Sequence, residues 1–235
     1  KQFPNQPGHS AGLFFVRQKE SEMSNVKGRG VRVEIAATYA AAKTVTALTL
    51  ANPGVATSAA HGLANDTVGY WTITSGMAQL QGQATRVKNQ ATNTFELQGL
   101  NTTNYSAWGS GTFTPVATWQ TLAEATSYSI GGGASEKLDV TTLLDTTRQE
   151  EIGLLPVQNV TMNIIAQDTP SAAMLLLESA VQTQSRVTVR ITLQNGAVRV
   201  FQAEPSVPGE DVQQGAVGTG SLEYAVKGFV LKLAA

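Results

Sequence analysis

The chain has 235 residues, of which 14% are charged and 42% hydrophobic, and its formal net charge is −1. A chain of this length buries roughly three quarters of its unfolded surface without a metal or disulfide staple, and low charge with ample hydrophobicity excludes a disordered tail. Near-neutrality offers no global attraction to nucleic acid or anionic membrane, and the lack of cysteine excludes disulfides, zinc–thiolate sites and a cysteine nucleophile.

Residues 1–22 are rich in Gln, Pro and Gly, have no sustained period, and end in Arg17-Gln18-Lys19-Glu20. Leu13 to Val16 is too brief for the core of a secretory signal, and no apolar run approaches the ~18 residues of a spanning helix. Met23 opens Ser24-Asn25-Val26-Lys27-Gly28-Arg29-Gly30 like a start, so residues 1–22 are read as an N-terminal arm or an upstream extension. A strand is predicted from Val31 to Ala37, followed by an alanine-rich turn or short helix over Ala36 to Ala42.

A second texture runs from 44 to 116. Strands are expected at Val45 to Leu50, Val68 to Ile73, Ala84 to Val87 and Thr94 to Leu97. Asn52-Pro53-Gly54, Ala64-Asn65-Asp66, Ser75-Gly76 and Gly109 to Gly111 separate them. Turn clusters every ~8–12 residues predict a small barrel or sandwich without a long helix.

After this module, Trp119 to Ile130 reads as one strand, and Gly131-Gly132-Gly133 breaks it. Leu138 to Pro156 is a long polar loop carrying Asp139, Asp145, Glu150 and Glu151, and loops of that length usually serve contacts. Val160 to Ala166 is a strand. Asp168-Thr169-Pro170 predicts a helix start, with Asp or Thr as the cap, and Ala173, Leu176, Leu177, Ala180 and Val181 form its apolar stripe. Val187 to Leu193 alternates apolar with Arg186, Thr188, Arg190 and Thr192. Asn195-Gly196 predicts a type I′ hairpin turn, and Val198 and Val200 lie on the return strand. In the last strand the apolar positions shift from Leu222, Tyr224 and Val226 to Phe229, Leu231 and Leu233. Gly228 at the shift predicts a bulge or bend.

Sites of chemistry are hard to assemble from these residues. The two histidines, His9 and His61, lie outside any nucleophile-elbow context, and His61 in Ala60-His61-Gly62-Leu63 reads as a loop residue satisfying a carbonyl. Carboxylate and histidine spacing supports no metal site. Gly131-Gly132-Gly133-Ala134-Ser135 lacks the ending of a phosphate-binding loop, and a strand, not a helix, follows Gly218-Thr219-Gly220. The adjacent carboxylates Glu150-Glu151 and Glu210-Asp211 point apart in extended chain, which is unsuited to a glycosidase pair. Lys27, Arg29 and Arg32 lack interleaved aromatics for stacking on single strands. The chain therefore reads as a non-enzyme with no cofactor.

From Met23 onward the sequence resembles the tail tube proteins, the major tail proteins of long, non-contractile-tailed bacteriophages. The resemblance rests on Val31-Arg32-Val33-Glu34-Ile35-Ala36, on Trp119 to Ile130 followed by Gly131 to Leu144, on the strand–helix–hairpin order from Asn159 to Glu204, and on the closing Tyr224-Ala225-Val226-Lys227-Gly228. The middle module is similar to a small β-domain common in phage structural proteins, through Ala59-Ala60-His61-Gly62-Leu63, Ser75-Gly76-Met77, Leu80-Gln81-Gly82, Val87, Asn93-Thr94-Phe95-Glu96-Leu97 and Asn101 to Tyr105.

The resemblance implies a mainly β fold: a tail-tube-type β-sandwich or barrel with one flanking α-helix, built from 23–43 and 117–235, plus an inserted all-β domain at 44–116 on the tube exterior. It implies a virion protein, assembled in the host cytoplasm, whose hexameric rings stack into a tube that delivers DNA. Its expected partners are further copies of itself, a tape measure protein, tail terminator and tail tip proteins, and DNA in transient non-specific contact, with no membrane. A head-to-tail interface closes into a ring when its rotation closes, and near-neutrality suits DNA transit, because each neutralised phosphate would add affinity.

Expected interface residues are Arg186, Arg190 and Arg199 on the hairpin and Asp139, Asp145, Glu150 and Glu151 on the loop, with Arg190 and Arg199 pairing to a neighbour's Glu150 or Glu151. The alternatives are a single-ring tail terminator or connector, and a surface carbohydrate-binding β-protein using Trp71, Trp108 and Tyr105 as a glycan platform. The last requires exposed, coplanar rings.

Overall fold

The computed structural model describes residues 30–132, 135–153 and 156–235. Expectations that rest on residues 1–22, on His9, on Lys27 and Arg29, and on Gly133-Ala134 lie outside the described residues.

The strands, in chain order, are β1 (Arg32–Tyr39), β2 (Lys43–Val45), β3 (Ala47–Leu48), β4 (Val55–Thr57), β5 (Val68–Ser75), β6 (Ala84–Lys88), β7 (Thr94–Leu97) and β8 (Ser110–Thr121). They continue with β9 (Ala125–Gly131), β10 (Lys137–Asp139), β11 (Glu150–Ile152) and β12 (Asn159–Ile165). The helix α1 (Ala172–Gln182) follows, then β13 (Val187–Thr192), β14 (Val198–Pro205), β15 (Gly209–Asp211) and β16 (Thr219–Leu233). The fold is mainly β with one α-helix, as the sequence predicts.

One curled sheet runs β3-β4-β7-β6-β5-β8-β1-β13-β14-β16-β12-β9, with β15 added beside β16 and β2 beside β8. The neighbouring strands pair antiparallel. β8 is the shared element: Gly111 to Phe113 pair with β2, Ser110 to Pro115 with β5, and Val116 to Thr121 with β1.

Two apolar clusters fill the fold. The first takes Ile35 from β1, Val160 and Met162 from β12, Leu177 from α1, Val189 from β13, and Leu222 and Tyr224 from β16. The second packs Trp71, Met77, Leu80, Phe95, Leu97 and Phe113 from the 44–116 segment against Val198, Val200, Leu231 and Leu233. Thus β14 and β16 are covered on both faces, one by each cluster.

The double coverage explains the shift of apolar positions at Gly228, where a bulge or bend was expected. A bulge is present, because the β14–β16 register slips between Val200↔Leu231 and Gln202↔Lys227. The slip adds two residues to β16, so side-chain parity is unchanged. Leu222, Tyr224, Val226 and Val230 all belong to the first cluster, and Leu231 and Leu233 reach the second. The apolar pattern moves at Gly228 because the opposite face becomes buried there.

Four local expectations also change. Ala36 to Tyr39 continue β1 where a turn or helix was predicted, since pairing to β8 outweighs alanine's helix propensity. Trp119 to Ile130 is two strands, β8 and β9, reversed over Leu122-Ala123-Glu124. The hairpin turn is not type I′: Gly196 alone has positive φ (+81°), and Asn195 Oδ1 accepts from Ala197 N at 3.1 Å. With Gly196 N donating to Leu193 O and Leu193 N to Ala197 O, the loop is a three-residue turn closed by a left-handed glycine.

The helix cap is the fourth. Ser171, not Asp168 or Thr169, is the N-cap, its Oγ accepting from Met174 N at 3.3 Å. The buried Glu124 holds it there, accepting from Ser171 N at 2.6 Å and from Ser171 Oγ at 2.8 Å. One carboxylate thus fixes the β8–β9 reversal to the positive end of α1, where negative charge is favoured.

Candidate functional site

No helix among the described residues is long and apolar enough to cross a membrane, and none of their His, Asp and Glu side chains cluster in threes as a metal site would require. His61 is buried and occupied: its Nδ1 accepts from Leu63 N at 3.0 Å, which leaves Nε2–H facing Thr94 O at 3.3 Å. Its ring meets Phe95 edge-on. This is the carbonyl-satisfying role expected of it.

The three aromatic residues proposed as a glycan platform do not form one. Trp71 is fully buried, its Nε1 donating to Thr85 Oγ1 at 2.9 Å. Trp108 is half-buried and stands edge-on to Trp71 at 79° and 5.9 Å, and Tyr105 packs against the same cluster. Bulky rings in a small β-module are needed to fill its core, so none is left as a flat exposed surface.

The hairpin arginines are largely engaged within the chain. Arg190 does not wait for a neighbour's Glu150 or Glu151. Its Nε donates to Glu34 Oε2 at 2.7 Å, and its guanidinium lies 4.3 Å from the centroid of Trp119. The register explains the trio: Glu34 sits opposite Arg190 on β13, while Ala36 sits opposite Trp119 on β8. Glu34 is 3% exposed and is also reached by Arg32 at 2.9 Å. Arg186 Nε donates to Glu204 Oε1 at 2.9 Å and holds that carboxyl below its ordinary range, though both side chains are well exposed and the pair adds little. Arg199 is half-buried and, among the described residues, donates only to the carbonyl of the preceding residue, Val198 O, at 3.3 Å.

Where the loop 138–156 was expected, the described residues 137–152 form a paired arm. β9 and β12 pair from Ala125↔Ile164 to Gly131↔Asn159, and the arm lies in the chain between them. Within it β10 and β11 form a small ribbon, with Lys137 opposite Ile152 and Asp139 opposite Glu150. Lys137 pairs with Glu150 at 2.9 Å, and Arg148 with Asp139 at 3.2 Å. Glu151 falls between them on the other face of the ribbon.

The tip is tied by hydroxyls and carboxylates. Asp139 Oδ1 accepts from Thr141 Oγ1 at 2.6 Å and Thr141 N at 3.0 Å; Asp145 Oδ2 accepts from Thr142 N at 2.7 Å and Thr142 Oγ1 at 2.9 Å. These bonds hold both carboxyls below the ordinary Asp value. The arm's acids therefore serve its own shape first.

Alongside its charged and hydroxyl side chains the arm exposes apolar ones. Leu143 and Leu144 at its tip are 106% and 94% exposed, and Leu138, Val140, Ile152 and Val157 along it are exposed as well. A polar-looking sequence conceals this, because Leu138, Val140 and Ile152 stand singly beside Asp, Thr or Glu and Val157 between Pro156 and Gln158. A second exposed apolar set lies at the opposite end of the β9–β12 hairpin: Ile165, Val207, Val212 and Val217. Ile165 and Val207 line a cleft of about 300 Å³ together with Ile164, Pro170, Met174 and Pro208. Neither set was singled out from sequence. Exposed apolar surface on this scale marks an interaction site.

These surfaces fit a chain that contacts other chains. No curated protein matches the chain. Among solved structures it is similar, at 13% identity, to a chain of the six-fold symmetrised cryo-EM structure of the anti-feeding prophage (AFP) baseplate, covering 51% of this chain and 86% of that one. The TM-score is 0.39, too low to carry an argument. A family model described as "Phage tail tube protein, TTP" matches residues 75–217, a span that includes the arm, the helix and the hairpin and exceeds half of the chain. The chain belongs to the phage tail tube protein family.

Proposed function

We propose that this chain is the repeating subunit of a long, non-contractile phage tail, forming hexameric rings that stack into the tube through which DNA is delivered. Family membership gives it a structural role in the tail and makes it a virion component. The observation that carries the finer reading is the pair of separate, exposed apolar surfaces, the arm and the cleft, on one chain. A closed two-fold dimer would need only one self-complementary patch, whereas head-to-tail assembly needs two different ones.

In this reading residues 23–43 and 117–235 build the tube wall, and 44–116 form an inserted module on the exterior. The near-neutral chain lets DNA pass without the phosphate contacts that would slow it. A tape measure protein fills the lumen before DNA, and terminator and tip proteins close the two ends. Assembly takes place in the host cytoplasm.

The test is negative-stain electron microscopy of the purified full chain over a concentration series, alongside its sedimentation profile. Hollow tubes or stacked six-fold rings are expected. A single copy at every concentration up to the millimolar range overturns the assembly reading, and rings that never stack return the protein to a terminator or connector role.

A further inference from the structure

We infer that the cleft between the 44–116 segment and the β13–β14 hairpin is a binding site for a neutral saccharide, with the buried amide of Gln202 as its anchor. The cleft is complete within one chain, so the inference stands apart from the assembly reading.

Cross-strand register assembles the site. Gln202 on β14 lies opposite Thr188 on β13, and directly opposed residues share a face. Thr188 N donates to the Tyr39 hydroxyl at 3.1 Å, and that hydroxyl donates to Thr188 Oγ1 at 3.2 Å. The ring of Tyr39, at the end of β1, is thereby fixed beside the same face. Tyr70 on β5 meets it edge-on, at 88° and 5.2 Å. Arg186 and Glu204, two positions from Thr188 and Gln202, keep that face and form an ion pair at 2.9 Å. Gln81 and Gly82 complete the lining of a cleft of about 410 Å³. Of Trp71, Trp108 and Tyr105 only Trp71 borders this cleft, and it is fully buried, so the site is not the aromatic platform expected from sequence.

Gln202 is the residue that points to a ligand. It is 4% exposed, and its Oε1 is sealed from water with no donor among the described residues. A buried polar atom without a partner is rare and costs free energy. Val198 and Val200 share its face and belong to the second apolar cluster, so an apolar residue at 202 would extend their row. An amide stands there instead, beside a glycine that comes close to it: Gly82 has φ +72°, and a Cβ on it would lie 3.3 Å from the Gln202 oxygen. A half-turn of the amide exchanges its oxygen and nitrogen, so a hydroxyl entering the cleft can meet either an acceptor or a donor.

The remaining groups select a sugar. Gln81 Oε1 accepts from Ile73 N at 2.6 Å, which leaves its NH2 group as a donor. Arg186 commits its Nε to Glu204 Oε1, which leaves further N–H donors and a second carboxylate oxygen. A saccharide hydroxyl donates and accepts at once and uses both kinds. The lining carries one cation and one anion, already paired, while Lys227 approaches Glu204 from outside it at 3.9 Å. An anionic ligand would therefore have to displace Glu204. Tyr39, 36% exposed, offers ring surface to the C–H face of a pyranose. Small-molecule sites span about 300–1,000 Å³, and this one has room for roughly one or two sugar rings.

Saturation-transfer NMR on the full chain tests the site. The neutral probes are glucose, galactose, N-acetylglucosamine and maltose; glucuronate and N-acetylglycinamide serve as charged and peptide-like controls. At least one neutral probe should draw saturation from the protein with a Kd on the order of 1 mM, and Gln202→Met should weaken it at least fivefold. No transfer to any neutral probe at about 20 mM overturns the inference, as does equal binding by Gln202→Met. Stronger transfer to glucuronate or N-acetylglycinamide than to every neutral sugar overturns the ligand class.

Stability separates a binding role from a structural one. Gln202→Met keeps the volume and removes an unpaired acceptor, so its urea midpoint should be unchanged or higher while its affinity falls. A lowered midpoint means that the amide serves the fold and overturns its assignment to a ligand. Leu50→Glu, exposed elsewhere, should leave the affinity unchanged, and an equal loss in that variant overturns the location of the site.

Discussion

The side-chain amide of Gln83 grips both backbone groups of Phe229: its Oε1 accepts from Phe229 N at 3.0 Å, and its Nε2 donates to Phe229 O at 3.0 Å. The same nitrogen donates to Ala84 O at 2.9 Å, and the residue is fully buried. A bulge leaves ladder groups unpaired, and here a residue of the 44–116 segment replaces the missing strand partner. The amide thus fastens that segment to β16 where the apolar pattern changes face.

Replacing Gln83 by Met keeps the volume but strands an N–H and a C=O, at about 1–3 kcal/mol each. We expect Gln83→Met to lower unfolding stability by about 2–4 kcal/mol in urea titrations, with an unchanged m value. Gly228 has φ +74°, and a Cβ there would collide with the Gln83 oxygen. Gly228→Ala therefore also destabilises, and part of its cost should vanish in the Gln83→Met background. Strict additivity of the two substitutions would show that the amide and the glycine are not coupled.

What the sequence revealed follows from the range of the forces involved. The β12 strand, the helix and the β13–β14 hairpin are legible because period-2 and period-3.6 patterns arise locally. The β8–β9 reversal was hidden because Leu122-Ala123-Glu124 has no turn residue, and a contact to Ser171, 47 positions away, fixes it. Arg190 looked available because its partner Glu34 lies on a strand 156 residues distant. Of the candidate site, the loop's place in the chain was legible. Its exposed leucines were not, since exposure depends on what the rest of the fold leaves uncovered.

The Glu34–Arg190 pair offers a second test. Glu34 is buried, and removing Arg190 leaves its carboxylate with Arg32 alone, whose side chain is 59% exposed. Breaking a buried pair from one side costs about 3–5 kcal/mol, and the partial exposure of Arg190 reduces this. We expect Arg190→Met to destabilise by about 2–3 kcal/mol and Glu34→Gln/Arg190→Met together by less than the sum. A change below about 0.5 kcal/mol for Arg190→Met, measured by chemical denaturation, would place the arginine among ordinary surface residues.

Tyr224 gives a prediction of the opposite sign. It is buried in the first cluster, its hydroxyl has no hydrogen-bond partner among the described residues, and burial drives its pKa well above the usual value. A buried, unpaired hydroxyl carries a desolvation penalty of about 1–3 kcal/mol. Tyr224→Phe should therefore be neutral or stabilising by up to about 1 kcal/mol, with Tm unchanged or raised. A Tm lowered by several degrees would mean that the hydroxyl has a partner, such as a buried water.

The arm's tip should hold through the ordinary carboxylate range and loosen only below it. Asp139 is held below its ordinary value of 3.8 mainly by the Thr141 hydroxyl, and Asp145 mainly by the Thr142 amide. A carboxyl with a lowered native pKa stabilises the native form wherever the unfolded carboxyl is ionised. That contribution is complete above the ordinary value and is lost as pH falls through the lower native values. Amide shifts of Thr141 and Thr142, followed by NMR as pH is lowered, should stay constant through the ordinary carboxylate range and then move together. Asp145→Asn should abolish the Thr142 transition and leave that of Thr141. Midpoints at or above 3.8 for both amides would mean that the hydroxyl and amide bonds do not hold the tip, and with it the presentation of Leu143 and Leu144.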